Sequence, residues 1–336
     1  MTYSVLAVGS PTQNLSILDP ASPSAEAIRG LFLLVGAILT GIFLLVEGVL
    51  IVSLIQSRRR KQAVEIEPPQ VYGSKPIEIA WTAAPTMVVF VLILLVARTI
   101  WEVRVDPYNP PPGSEPLYIT VIGHQWWWEY RYTSYKGKEL SVITANELHM
   151  PVSDATTPRP VYLDLQSADV CHSFWIPRLG GKTDLIPARA NTMWLQTNEV
   201  GVHLGQCAEY CGTQHANMLL RVYAEPPADF EKWLAAEAKP AVEDIAVKVD
   251  RAVFFSESCV SCHTIRGTTA KGIFGPDLTH LMSRETLASG MIKNTPENLE
   301  RWINDPQTVK PGCLMPAFKL DEKPLKSVVR YLGTLK

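Results

Sequence analysis

Residues 206–218 read QCAEYCGTQHANM and bring Cys207, Cys211, His215 and Met218 into one short stretch. Two thiolates, an imidazole and a thioether are a soft donor set, the kind that selects copper. The spacing C-x3-C-x3-H-x2-M lets a single loop turn all four toward a compact centre. A second signal, CVSCH at Cys259–His263, has the C-x-x-C-H form through which c-type haem is attached. One chain thus carries a copper motif and a haem motif, a pairing that points to electron transfer.

Working outward, the 336 residues suggest two or three domains. Apolar residues make up 47% against 19% charged, and the excess lies before residue 102. Leu31–Gln56 is apolar except for Glu47, and Ile79–Ala97 carries no charge. A spanning helix needs about 20 residues, so both stretches qualify. Between them lies Arg58-Arg59-Arg60-Lys61, which the positive-inside bias puts in the cytoplasm. Both chain ends, and with them both metal motifs, then face the periplasm or its equivalent. The expected location is a bacterial plasma membrane, crossed twice. The first residues lack a signal peptide's pattern; either the first membrane helix is itself the signal, or a leader was short and atypical. A net charge of −2 argues against nucleic acid as a partner. Four of the six cysteines fall in the two motifs, which leaves Cys171 and Cys313 without an evident partner.

The remaining organisation follows from composition. Residues 1–25 are an external tail interrupted by Pro11, Pro20 and Pro23. A transmembrane hairpin over 26–104 has helices at about 28–56 and 78–101. Prolines between Pro107 and Pro116 mark the exit from the membrane. Strand-like runs at Leu117–Thr120, Val161–Leu165 and Met193–Gln196 suggest a β-sandwich or barrel over 105–238, closed by an amphipathic helix at Asp229–Glu237. After a linker at 239–246, helical patterns return at Ile245–Phe255, Pro296–Ile303 and Pro324–Leu335, giving a helical domain over 247–336.

A centre of two coppers bridged by two cysteine sulfurs shares one electron between the metals. Little geometry then changes on reduction. Such a centre needs a second histidine from outside the loop. His172, in DVCHSFWIP, has the most specific setting; His124, His149 and His203 have less specific ones. The competing readings are a Cys207–Cys211 disulfide, which an oxidising compartment permits, and a one-copper blue site, in which one cysteine is surplus.

Residues 26–238 resemble cytochrome c oxidase subunit II along their whole length. The resemblance is carried by EIAWT at 78–82, GHQWWWEY at 123–130, DVCHSFWIP at 169–177, KTDLIPAR at 182–189 and the copper loop. It implies a cupredoxin-like β-barrel behind the hairpin. It implies His172, Cys207, Glu209, Cys211, His215 and Met218 as ligands of a dinuclear copper A centre, Glu209 through its carbonyl. The Glu209 carboxylate would also reach a magnesium shared with subunit I. Trp126 maps to the family's electron entry point and Glu78 to its cytoplasmic proton entry. The residues alone also permit plainer roles. Neighbouring tryptophans in a strand face opposite ways, so at least one of Trp126, Trp127 and Trp128 is core, and Glu78 can be a solvated helix cap. Two positions depart from the family. Cys171 replaces a usual aliphatic residue and reads as a small buried hydrophobe. Tyr210 sits in the copper loop, where it can tune the centre without removing a ligand.

In the haem motif, Cys259 and Cys262 supply thioethers to one covalent haem c and His263 the proximal ligand. Met315, in GCLMPAF, is the expected sixth ligand, with Met282, Met291 and His280 as rivals. That loop resembles the methionine loop of mono-haem cytochromes c, and GPDL at 275–278 resembles their internal loop.

The expected whole is a membrane-anchored, multidomain chain: a two-helix transmembrane hairpin, a cupredoxin-like β-barrel and an all-α cytochrome c domain. The expected function is that of subunit II of a respiratory oxidase. Electrons from an upstream quinol-oxidising complex or a small cytochrome c would enter at the haem, pass to copper, and go on to subunit I, which reduces oxygen and pumps protons. Fusion would raise the effective donor concentration to roughly millimolar. The alternatives are the electron-entry chain of a copper-containing nitric oxide reductase, and a membrane-tethered redox carrier with no catalytic partner. A quinol oxidase chain is disfavoured, because such chains lack the copper ligands.

Overall fold

The computed structural model describes residues 15–59, 70, 72–104, 106–107, 109–242 and 244–336. Arg60 and Lys61 of the basic run lie outside them, as do Pro11 and Glu243. Two helices come first, α1 (Pro23–Arg59) and α2 (Lys75–Val103). At about 1.5 Å per residue each exceeds the ~30 Å hydrocarbon thickness. Both are longer than their apolar runs. Ser22 explains this at α1: its Oγ accepts from Ala25 N at 3.0 Å, an N-cap, and Pro23 follows at the first helical position. Helix α2 likewise begins just before Pro76. No residue of α2 is buried, as suits a helix that lipid surrounds. The hairpin, Glu26–Arg104, is one compact unit; the segment up to Ala25 belongs with the rest of the chain in another.

That second unit begins with a β-domain of ten strands. One sheet runs β3 (Lys138–Ala145), β2 (Trp127–Tyr135), β1 (Leu117–His124), β5 (Val161–Ser167), β8 (Asn191–Leu195). The other runs β4 (Glu147–Pro151), β10 (Leu219–Glu225), β9 (Gly201–Cys207), β6 (His172–Trp175), β7 (Thr183–Leu185). The pairs β1–β5 and β4–β10 are parallel; the others are antiparallel. Period-two alternation supplies the core: Leu117, Ile119 and Val121 from β1 meet Trp128, Tyr130 and Tyr132 from β2, all buried. Phe174 of β6 packs edge-on against Trp128 at 5.3 Å. Truncating a core aromatic such as Trp128 costs about 3–5 kcal/mol. Helix α3 (Pro227–Glu237) closes the domain by burying Phe230 against Tyr135.

The tail before α1 is bound to this domain. Thr197 Oγ1 donates to Ala21 O at 2.6 Å, Ala21 N to Arg178 O at 2.8 Å, and Ser22 Oγ to Leu179 O at 2.7 Å.

The C-terminal domain is built on α4 (Lys248–Ser256), α5 (Pro296–Asn304) and α6 (Glu322–Leu332). Phe254, Leu299, Ile303, Val328 and Leu332 form its core. A short strand pair, β11 (Thr286–Leu287) and β12 (Ile292–Lys293), is added to the helices. The domain also lies directly on the β-domain. Glu147 of β4 accepts from Glu285 N and Thr286 N, at 2.9 and 2.8 Å.

Candidate redox sites

The copper loop joins β9 to β10. Their antiparallel register pairs Gln206 with Leu219, and Cys207 N donates to Met218 O at 2.9 Å. Strand pairing therefore clamps both ends of the loop, and the ten residues between Cys207 and Met218 have little choice but to curl inward. His172 arrives from β6, where Phe174 is the partner of Cys207. The donor atoms converge. Cys207 Sγ is 3.8 Å from Cys211 Sγ, 3.9 Å from His172 Nδ1 and 3.3 Å from Glu209 O. Cys211 Sγ is 3.6 Å from His215 Nδ1 and 3.9 Å from Met218 Sδ. The two thiols are free and buried, and 3.8 Å is far beyond a disulfide bond. His172, Cys207 and Cys211 form a buried group able to hold a metal. The donor chemistry fits copper.

Electrostatics treats the two thiols unequally. The Cys211 thiol beside Cys207 stabilises the Cys207 thiolate and lowers its pKa, while Cys211, keeping the shared proton, is raised. Burial disfavours a His172 imidazolium, but Asp169 outweighs it and the pKa rises. Asp169 Oδ1 accepts from His172 Nε2 at 2.8 Å. This fixes the tautomer and leaves the Nδ1 lone pair facing the sulfurs. The other Asp169 oxygen takes Gln125 N at 2.7 Å. The same turn reaches the loop twice more: Gln125 Nε2 and Trp126 Nε1 both donate to Cys211 O, at 2.7 and 2.9 Å. Gly123 allows this approach, since a Cβ there would lie 2.8 Å from the His172 ring.

Trp126 precedes β2 in a turn, so strand alternation does not govern it, and it is buried together with Trp128. Contrary to the expectation of a small buried hydrophobe, Cys171 lies just outside β6 and is exposed. Tyr210 is exposed, its ring edge-on to His215 at 5.8 Å. The other histidines are engaged elsewhere. His124 stacks on Trp127 and meets Glu129; His149 lies between Tyr223 and Trp233; His203 contacts Arg178, and burial lowers its pKa. Glu209 is exposed, and Glu78 stands exposed in the first turn of α2, in its own unit.

The haem motif opens onto a cavity of about 440 Å³. Cys259, Cys262, His263 and Met315 line it; Met282, Met291 and His280 do not. His280 Nε2 instead faces Lys239 O at 3.0 Å. His263 Nδ1 donates to Pro276 O at 2.8 Å, which leaves Nε2 for a metal. Burial lowers the His263 pKa, keeping the ring neutral and able to ligate. Two glycines shape the cradle: a Cβ on Gly275 would come within 2.5 Å of the His263 ring, and one on Gly272 within 2.4 Å of the Cys262 backbone. The remaining wall is largely apolar, with Leu278, Leu299 and Phe318. A flat apolar macrocycle attached at two cysteines fits this lining. The β-domain closes one side with Gln125, Trp126, Trp127 and Asn146. Cys313 also lines the cavity, its Sγ near Gln307 Nε2 at 3.4 Å. Sequence reasoning assigned nothing to Asp169, Gln125 or Lys310. The partners of Gln125 and Lys310 are distant in the chain, whereas Asp169 stands three residues before His172, so a local signal was present.

Comparison with known proteins agrees with both sites. The family model for the cytochrome c oxidase subunit II periplasmic domain matches residues 117–224, and that for the subunit II transmembrane domain matches 10–97. The cytochrome c model matches 251–336. Cytochrome c oxidase subunit 2 of Alkalihalophilus pseudofirmus is 35% identical over 329 residues, covering 96% of this chain and 92% of that one. The subunit 2 of Bacillus sp. strain PS3 is 32% identical, with the same coverage. Fold and sites thus define a membrane-anchored electron-transfer protein of an oxidoreductase complex, with a cupredoxin-like domain and a cytochrome c domain. The chain belongs to the cytochrome c oxidase subunit II family, in a form with a fused cytochrome c domain.

Proposed function

We propose that this chain is the electron-entry subunit of a respiratory cytochrome c oxidase. It takes electrons at the cytochrome c domain and delivers them from the copper loop to a subunit I that reduces oxygen and pumps protons. The observation carrying this reading is the convergence of four donor groups, from His172, Glu209, His215 and Met218, around the two free buried thiols of Cys207 and Cys211. When bound, two coppers and one covalent haem c supply the one-electron chemistry. The chain's own residues hold and insulate them. Asp169 fixes the His172 tautomer, and Pro276 O fixes that of His263. Trp126 borders the haem cavity and donates to Cys211 O, which supports it as the entry residue. Cys259 and Cys262 would hold the haem covalently, and His263 and Met315, which line the same cavity, would ligate its iron.

The domains divide as 1–25, 26–104, 105–238, a linker at 239–246, and 247–336. Both metal domains face the periplasmic side of a bacterial plasma membrane. The exposed Glu209 carboxylate shares a magnesium with subunit I, and Glu78 admits protons from the cytoplasm. The donor is a quinol-oxidising complex or a small cytochrome c. Copper and haem assays with paramagnetic resonance on the full chain test the core of the reading: two coppers sharing one unpaired electron, and one covalent haem, are expected. A single-copper hyperfine pattern defeats it. For Glu78→Gln in the assembled oxidase, slower turnover with normal metal content is expected; unchanged turnover across pH removes the proton-entry role.

A further inference from the structure

Lys310 is a lysine with a 2% exposed side chain lodged between two domains. Its Nζ donates to Trp126 O at 2.7 Å, Asn217 O at 2.9 Å and Ala288 O at 3.3 Å. An ammonium has three protons, and each finds a carbonyl on a different segment. Trp126 belongs to the turn that touches the copper loop. Asn217 lies in that loop. Ala288 belongs to the C-terminal domain, in the turn between β11 and β12. No carboxylate is among these partners, and burial lowers the Lys310 pKa to about 7. A buried cation without an anionic partner is poor for stability, so its value lies in what it holds.

The residues after it continue the contact. The Gln214 side-chain amide donates to Pro311 O. Gly312, at φ +85°, packs so close to Thr213 that a Cβ would meet Thr213 Cγ2 at 3.1 Å. The segment 310–312 is thus seated on copper-loop residues 213–217, three residues before Met315. A second clamp stands apart from it: the buried Glu147 carboxylate takes Glu285 N, Thr286 N and Thr286 Oγ1, and Ser289 Oγ donates to Leu219 O at 2.9 Å. Both clamps satisfy groups that would otherwise be buried and unpaired.

We propose that Lys310 is a positioning residue which, together with Glu147, locks the cytochrome c domain onto the copper domain in one pose, so that transfer between the two sites needs no domain motion and the Trp126 face is closed to a diffusing donor protein. The transfer part rests on the electron-entry reading above; the locked pose does not.

The test uses the full, metal-loaded chain as wild type, Lys310→Met and Glu147→Gln. Two quantities are read: hydrogen exchange at the Glu285 and Thr286 amides and across 213–217, and flash-induced haem-to-copper transfer at rising glycerol. In wild type, transfer is expected to ignore glycerol. In Lys310→Met, exchange is expected to rise about tenfold or more, and transfer to slow about tenfold and become viscosity-dependent, with copper resonance and haem absorbance unchanged. Unchanged exchange with glycerol-independent transfer in both variants overturns the proposal. If Lys310→Met does not fold, Glu147→Gln decides alone, by the same two readouts. Absence of haem-to-copper transfer in wild type defeats the electron-entry reading, while the exchange data still judge the locked pose.

Discussion

The two redox sites of this chain are built by opposite means. The copper site is a corner of a β-scaffold. His172 and Cys207 sit on strands, the loop's ends are tied by strand pairing, and His172 already has its partner. The haem site is a hollow. The residues proposed to hold the haem stand on loops and short turns around about 440 Å³ of space, and one wall is lent by the other domain. A scaffold that closes on itself stays folded without its metal. A small helical domain whose core residues Phe254, Leu299, Ile303, Val328 and Leu332 also line such a cavity packs those side chains against whatever fills it. The difference teaches that the copper domain presents a site to its ligand, whereas the haem domain depends on its ligand for much of its own core.

The largest expected effect breaks this symmetry directly. Replacing Cys259 and Cys262 by alanine blocks haem attachment and is expected to abolish exchange protection in α4, α5 and α6. Strands β1 to β10 should keep theirs. Loss of protection in both regions would mean that the β-domain is not self-sufficient. The converse is removal of copper by a thiol-competing chelator. That treatment is expected to leave the β-sheet circular dichroism intact, with a lowered midpoint only, because binding stabilises by mass action.

A sharper variant is Asp169→Asn. The amide no longer enforces a proton on His172 Nε2, so copper affinity is expected to fall about 10–100-fold while the fold persists. A copper titration followed at the thiolate absorption band checks this. An unchanged affinity would show that strand geometry alone sets the histidine. Trp126→Phe comes next. It removes one of the two donors to Cys211 O but keeps a ring at the cavity, so copper content should hold and transfer should slow. Transfer at the wild-type rate would remove Trp126 from the path.

The smallest effect concerns the β-domain's own stability. Arg159, itself buried, donates to Glu115 and Asp154. Burial works against the charged Glu115, but Lys136 and Arg159 outweigh it and lower its pKa. Thr156 first, then Arg159, lower that of Asp154. Both carboxyls therefore contribute stability above their unfolded values of about 4, and lose it as pH falls through the lower folded values. Arg159→Met is expected to destabilise by about 1–2 kcal/mol at neutral pH, discounted for the solvent around both carboxylates. The gap to wild type should narrow in acid. Denaturant titrations at several pH values between neutral and acid follow it; a pH-independent gap would assign the loss to packing.

The sequence by itself determined which residues were candidates for the chemistry. Cys207, Cys211, His215 and Met218 are legible because one loop carries them, and Cys259, Cys262 and His263 because haem attachment demands contiguous residues. The membrane helices are legible from length and apolarity alone, and the strands of β1, β5 and β8 from local pattern. What the tertiary structure decided is everything that depends on distance along the chain. Lys310 meets Trp126 across 184 residues, and Glu147 meets Thr286 across 139. In sequence one is an ordinary charged residue before a Pro-Gly pair and the other an acid in a short strand. Cys171 shows the same limit from the other side: it reads as a small buried hydrophobe in sequence, yet it stands one residue before β6 and is exposed. A motif is local because ligands to one metal can come from one loop. A docking contact is not, because burial and hydrogen-bond partners exist only once two separately folded surfaces have met.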